Sequence, residues 1–194
     1  MYDAVTDKTT SVRNWSTAGD RTAMTLKLAA NASVFVIFNK KAQVDRAGTG
    51  KNWPEPKVIK TFKDDWQVTF DARLGGPAKP VLFKELVDWT KHPDTLIKYY
   101  SGTAVYANTI NLEKQEGQQY LLDLGKVGCI AEVKINGISC GVVWTAPFQA
   151  DVTGALKQGK NELIIEVTNT WANRLMGDQH LPESRRITKT TAPY

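Results

Sequence analysis

Histidine and cysteine are nearly missing from this chain of 194 residues: it holds two of each, His92 and His180, Cys129 and Cys140. A zinc site needs several such ligands at short spacing, so no metal-ligating set is expected. Long apolar runs are missing as well. Nothing approaches 18 consecutive apolar residues, which excludes a membrane-spanning helix. The opening residues MYDAVTDKTTSVRNWS have neither a basic start nor an apolar centre, so no secretion signal is visible and the compartment is left undetermined. There is no G-x-S-x-G elbow, phosphate loop or dinucleotide fingerprint. Charge of one sign is nowhere gathered. The 25 Lys and Arg outnumber the 20 Asp and Glu to give +5, yet they are scattered, whereas a nucleic-acid partner needs them clustered.

What is present is β-pattern. A hydrophobic share of 42% over this length supports one good core with a smaller appendage. DWQVTFDA alternates Trp66, Val68 and Phe70 with polar neighbours, the period of a half-buried strand. Six further strands are expected over 98–112, 118–124, 128–136, 138–144, 148–152 and 161–168, with turns at Glu116-Gly117, Asn136-Gly137 and Gly159-Lys160. In LIIEV, Leu163, Ile165 and Val167 face one way and Ile164 the other, which suits a central strand covered on both faces and favours a two-sheet sandwich. One helix of about two turns is expected in VLFKELVDW, from Phe83, Leu86 and Val87 at i, i+3 and i+4.

The Asn136-Gly137 pair fixes a type I′ hairpin that places Cys140 opposite Val133. Cys129 lies four residues further on, roughly 13 Å away, beyond the reach of a disulfide. Both thiols are expected in the core, on the face of Ala131, Val133 and Ile135, unless a bulge shifts the register.

The amino-terminal part fits less well. Strand-like runs at 22–28 and 33–39 form an extra β-hairpin, and the Gly- and Pro-containing stretch that follows reads as a linker, giving segments 1–40, 41–57 and 58–194. A lone hairpin is marginal in water, so this one must dock on something.

Chemistry concentrates in VTNTWANRLMGDQHLPESRR. Trp171 can stack on a pyranose ring while Asn173, Arg174, Asp178, Gln179 and His180 meet hydroxyl groups, the division of labour of a sugar site. The competing reading packs Trp171 into the end of the sandwich and pairs Arg174 with Asp178 at i+4 on a helical turn. Trp144, at the end of a strand before Pro147, offers the same choice between platform and core plug. Asp178 and Glu183 are the acids available there for a glycoside-hydrolysing pair, but acids in irregular segments are usually solvated or capping groups.

The same residues carry a resemblance. YYSGTAVYANTINL, the Leu-Asp-Leu-Gly strand, the Asn-Gly hairpin, the Pro-Phe-x-x-Asp-Val-Thr element and the Asn-x-Trp-x-Asn-Arg-Leu-x-Gly-Asp loop resemble, in order, the galactose-binding-like jelly-roll domain of family 2 glycoside hydrolases. The version near the C-terminus of family 106 α-L-rhamnosidase-like enzymes is most similar, and the match runs from about Asp65 to Asp178. The resemblance implies an all-β jelly-roll sandwich and a carbohydrate partner. It also implies catalytic carboxylates on a separate barrel domain, so that this chain would hold no catalytic residue of its own. Relatives of this kind are secreted or periplasmic, and the fold type admits a structural calcium ion without requiring any cofactor. LKLAANASVFVIFNK is similar to the closing strands of the β-domain that precedes the sandwich in such enzymes. The family continues into a final strand, for which residues 187–194 supply either a shortened edge or nothing, and an open edge would admit another copy of the chain. Three functions follow: an accessory, carbohydrate-facing module of a glycoside hydrolase, a ligand-free assembly module, and a small hydrolase using Asp178 and Glu183.

Overall fold

The computed structural model describes residues 1–29, 32–39, 47–53, 55–63 and 65–190, and the chain divides into two units, Met1–Thr61 and Phe62–Tyr194. In the first, β1 (Tyr2–Asp3) pairs with β2 (Lys8–Thr9) and β3 (Ser16–Ala18) with β4 (Arg21–Ala23). Hairpins are therefore present, but at other bounds than the two apolar runs suggest. Of 22–28, Thr22 and Ala23 lie in a strand, and of 33–39, Phe35 makes an isolated bridge to Tyr2. The reason is burial. Leu26, Leu28, Phe35, Ile37 and Phe38 remain exposed, so their β propensity finds no packed face to settle on. Residues 41–46 of the expected linker lie outside the described residues. Further along, Asn52 accepts from the amides of Arg13 (2.8 Å) and Asn14 (2.6 Å).

In the second unit β5 (Trp66–Thr69), β6 (Val81–Phe83), β7 (Thr103–Leu112), β8 (Leu121–Asp123), β9 (Ile130–Ile135), β10 (Ile138–Val143), β11 (Gln149–Asp151) and β12 (Gly159–Thr168) accompany the short helices α1 (Thr95–Lys98) and α2 (Ala172–Gln179). Six strands form an antiparallel sheet in the order β10-β9-β12-β7-β5-β6, and β8 pairs with β11 separately. β12 is central, as its sequence indicates, with ten register pairs to β7 and six to β9. Its inner residues Leu163 and Ile165 join Val133, Ile135, Ala104, Tyr106 and Val68 in one buried cluster. That cluster is completed by Ala150, Val152, Ala155, Leu156, Ile97 and Trp89 from outside the sheet. The opposite face of β12 is polar and partly exposed, carrying Glu162, Ile164 and Glu166, so it is not the second covered face that LIIEV suggests.

Aromatic edges fill one end of the core. Phe70 meets Tyr100 at 5.0 Å and Trp89 at 5.6 Å, both edge to face. The Trp89 indole N–H donates to Tyr106 Oη at 2.6 Å in a buried setting. Tyr106→Phe is expected to cost about 1–3 kcal/mol, because it leaves that donor buried without an acceptor; urea denaturation of the two proteins measures it.

Two expectations need correction. VLFKELVDW is not a helix: Val81–Phe83 is strand β6, Phe83 is buried, and Leu86 and Val87 are exposed, so the i, i+3, i+4 spacing never formed a packed face. The cysteines are half-buried rather than fully buried, with Cys140 packed against the margin of the core, and both are free. The hairpin begins in the expected register, Ile138 opposite Ile135 and Ser139 opposite Lys134, then shifts so that Val142 faces Glu132. Cys140 and Gly141, the latter at φ +98°, supply the extra residue of a bulge that turns Cys140 off the Val133 position. No helix among the described residues is long and apolar enough to cross a membrane.

Candidate functional site

Strands β10 and β12 both run antiparallel to β9, so they point the same way and end at the same end of the sheet. Val143 and Val167 both pair with Ala131. Trp144 follows the first by one residue and Trp171 the second by four. The two strands lie two spacings apart, roughly 9–10 Å. Trp144 is 59% exposed and Trp171 53%, so neither plugs the core; the tryptophans buried there are Trp66 and Trp89. Ile130 and Val142, at the same end of β9 and β10, are exposed beside them.

Helix α2 starts at Ala172 with Trp171 in the capping position, and it divides the remaining candidate residues by face. Arg174, Gly177 and Asp178, at i, i+3 and i+4, point inward and are buried. Met176, Gln179 and His180 are exposed, and Asn173 is half-buried. The loop is thus half support and half surface, and the i+4 ion pair foreseen for Arg174 and Asp178 is there, with Nε 3.0 Å from Oδ1. Asp178 Oδ2 accepts from Ile187 N (3.1 Å), Thr188 N (2.7 Å) and Thr188 Oγ1 (2.6 Å), tying the following segment to the helix. Burial alone would raise this carboxyl. The Thr188 hydroxyl and amide, the Arg174 charge and the Ile187 amide together outweigh it and hold Asp178 below the usual carboxylate range. Residues 187–190 consequently form a pinned strap and not an edge strand.

Two supporting residues escaped the sequence reading. Asn169 donates to Tyr100 O (2.9 Å) and accepts from Gly102 N (2.9 Å), and Ser101 Oγ accepts from Arg174 N (2.9 Å). Both lash α2 to the start of β7. Asn169 opens the Asn-x-Trp-x-Asn-Arg motif, which was the available signal; Ser101 carried none.

The arrangement does not make a hydrolytic pair of Asp178 and Glu183. Asp178 is 0% exposed, with Oδ2 held by Ile187 and Thr188 and Oδ1 against the Arg174 charge, while Glu183 is exposed on a separate 3-10 turn. A second carboxylate pair, Glu132 opposite Glu166 on the outer sheet face, is bridged by Lys134 Nζ at 3.4 and 2.6 Å. The Ser139 hydroxyl chiefly holds Glu132 below its ordinary range, the opposite of what a general acid needs. A groove lined by Lys114, Gln119, Asp151 and Thr153 lies at the far end of the sheet, where Gly159 pairs with Leu112. Among the described residues no three His, Cys, Asp or Glu side chains converge as a metal would require, so none is assigned to calcium.

Comparison with known proteins fits this geometry. The chain matches the family described as glycosyl hydrolase 2 galactose-binding domain-like over residues 82–192, a span that begins later and ends later than the motifs alone suggested. It is 42% identical over 139 residues to a Formosa agariphila protein provisionally named a beta-glucuronidase, covering 70% of this chain and 12% of that protein. A rhamnosidase from Novosphingobium sp. PP1Y superposes with a TM-score of 0.83 at 36% identity, covering 93% of this chain and 17% of the other. A Ruminococcus gnavus beta-glucuronidase gives a TM-score of 0.50 at 18% identity over 60% of this chain and 23% of its own, a likeness of fold alone. The chain therefore spans a small fraction of the length of these relatives. With its antiparallel sandwich and its ordered motifs, it belongs to the glycosyl hydrolase 2 galactose-binding domain-like family.

Proposed function

We propose that this chain is a non-catalytic accessory module of a rhamnosidase-like glycoside hydrolase, and that the end of the sheet bearing Trp144 and Trp171 meets carbohydrate. The observation that carries this reading is the pair of exposed tryptophans: Trp144 directly follows strand β10, and Trp171 heads a helix fastened by Asn169, Ser101 and Asp178. Exposed indole faces suit stacking on sugar rings, and Asn173 and Gln179 on the helix, with His180 just past its end, supply polar groups to meet hydroxyls. Arg174 and Asp178 act mainly beneath that surface. Binding of the purified chain to an oligosaccharide array that includes rhamnose-containing glycans tests the reading. Trp171→Ala is expected to reduce retention by about tenfold or more with the thermal transition unchanged, since removing a stacking aromatic forfeits roughly 1–3 kcal/mol. Retention equal to that of the unmodified chain would remove Trp171 from the site.

A second reading, an assembly module, is favoured by the exposed apolar residues Leu26, Leu28, Phe35, Ile37 and Phe38 of the first unit. On this view that unit is part of a larger β-domain and covers these residues with further strands. A concentration-independent monomer with no added partner preference would count against it. The bulge in β10 already blunts one sheet edge against self-pairing.

A further inference from the structure

Arg174 is 5% exposed, and its contact with an acid runs from Nε to Oδ1 of Asp178. Arginine usually meets a carboxylate as a fork, with two parallel N–H···O bonds. Here Asp178 cannot complete the fork, because Oδ2 is turned to Ile187 and Thr188. The contact that remains, Nε to Oδ1, is 3.0 Å long but poorly aligned, so neither atom gains a well-directed hydrogen bond from it. Nη1 and Nη2 donate to no acceptor among the described residues, and the Arg174 side chain keeps 7% of its surface exposed. Four N–H donors of a nearly buried cation are thus left open.

The backbone keeps room for them. A Cβ on Gly75, which sits at φ +79°, would come within 3.0 Å of Nη1, and one on Gly177 within 2.5 Å of Nη2. Two residues without side chains therefore wall the slot, with Ile187 closing it beside Gly75. The donors are planar, paired and charged, and a planar two-oxygen anion matches them better than a single hydroxyl does.

We propose that the two terminal amino groups of Arg174 bind the carboxylate of an acidic sugar, making this end of the module selective for uronate-bearing glycans. The proposal rests on the reading that this end meets carbohydrate, and it adds the class of sugar. The test is titration of the unmodified chain with D-glucuronate, D-glucose and acetate, followed by the NMR signal of the Arg174 Nε–H. Glucuronate and acetate are expected to shift that signal and glucose to leave it in place, with glucuronate bound about tenfold or more tighter than glucose. Arg174→Lys keeps a positive charge against Asp178 and loses the fork, so glucuronate affinity should fall by about tenfold or more. An Arg174 signal unmoved at saturating glucuronate overturns the proposal even where the lysine variant does not fold. Equal binding of glucuronate and glucose, both lost in Trp171→Ala, would overturn it while sustaining the carbohydrate reading. A glucuronate response that survives Trp171→Ala and disappears in Arg174→Lys would support this site and remove the tryptophan platform.

Discussion

Asp178→Ala is expected to lower the stability of the Phe62–Tyr194 unit by about 3 kcal/mol, read as a shifted midpoint in urea denaturation. Removing one partner of a buried ion pair generally costs about 3–5 kcal/mol, because the other charge is stranded. The lower end applies here: the Arg174 side chain keeps 7% of its surface exposed, and the amides of Ile187 and Thr188 can be hydrated once the strap lets go. Asp178→Asn should fall between the two proteins, since it keeps an acceptor for Thr188 and abandons the charge on Arg174. Glu183→Gln, on an exposed turn, should stay within about 0.5 kcal/mol. The pattern separates a structural carboxylate from a catalytic one. The sign with pH is also fixed. Asp178 titrates lower in the folded chain than the ordinary value of about 3.9, so its stabilisation is fully present above that value and is lost as the pH falls through the folded one. The unmodified unit should therefore lose more stability on acidification than the alanine variant does.

The strands were legible because they obey two local rules at once, alternation and turn chemistry. β7, β9, β10 and β12 lie where Val, Ile and Thr alternate between Gly-marked turns, and Asn136 and Gly137 both take the positive φ that their pairing foretells. The failures occurred where a local pattern had no tertiary partner. Phe83, Leu86 and Val87 carry helical spacing, but Phe83 was claimed by pairing of β6 with β5, in the register that sets Phe83 against Trp66. The two runs of the first unit have strand composition and no buried face to reward it. In the Trp171 to Glu183 stretch the residue types were legible and their directions were not. Whether Arg174 supports or contacts depends on Ser101 and Asn169 anchoring α2 to residues some seventy positions earlier, and no spacing in the stretch itself encodes that. Trp144 is exposed for a similar reason, since the bulge at Cys140 and Gly141 resets which residues of β10, just ahead of it, face outward.

Asn161→Ala should match or exceed the Asp178 effect, at about 3–4 kcal/mol. Asn161 is 0% exposed and makes four hydrogen bonds. Its Nδ2 donates to Lys157 O and Gly159 O, both at 2.9 Å, and its Oδ1 accepts from Lys157 N at 2.7 Å and Asn136 Nδ2 at 2.8 Å. Asn136 in turn donates to Ala155 O and accepts from Glu162 N, so one amide pair locks the turn at Gly159 to the hairpin at Asn136-Gly137. Each buried group left without a partner costs about 1–3 kcal/mol, and four such losses are tempered by water entering the vacated polar space. Asn161→Asp gives the sharper test. It retains the acceptor for Lys157 N and Asn136 Nδ2, but turns a second carboxylate oxygen toward two carbonyls that had received N–H groups. Ionised, that oxygen is repelled and buried; protonated, it becomes a donor again. The folded-state pKa of the new aspartate must then lie above its unfolded value, and the variant should gain stability as the pH falls, opposite in sign to the contribution of Asp178. A variant whose stability declined on acidification in parallel with the unmodified chain would mean that the two carbonyls had turned away and that the amide network does not hold the turn.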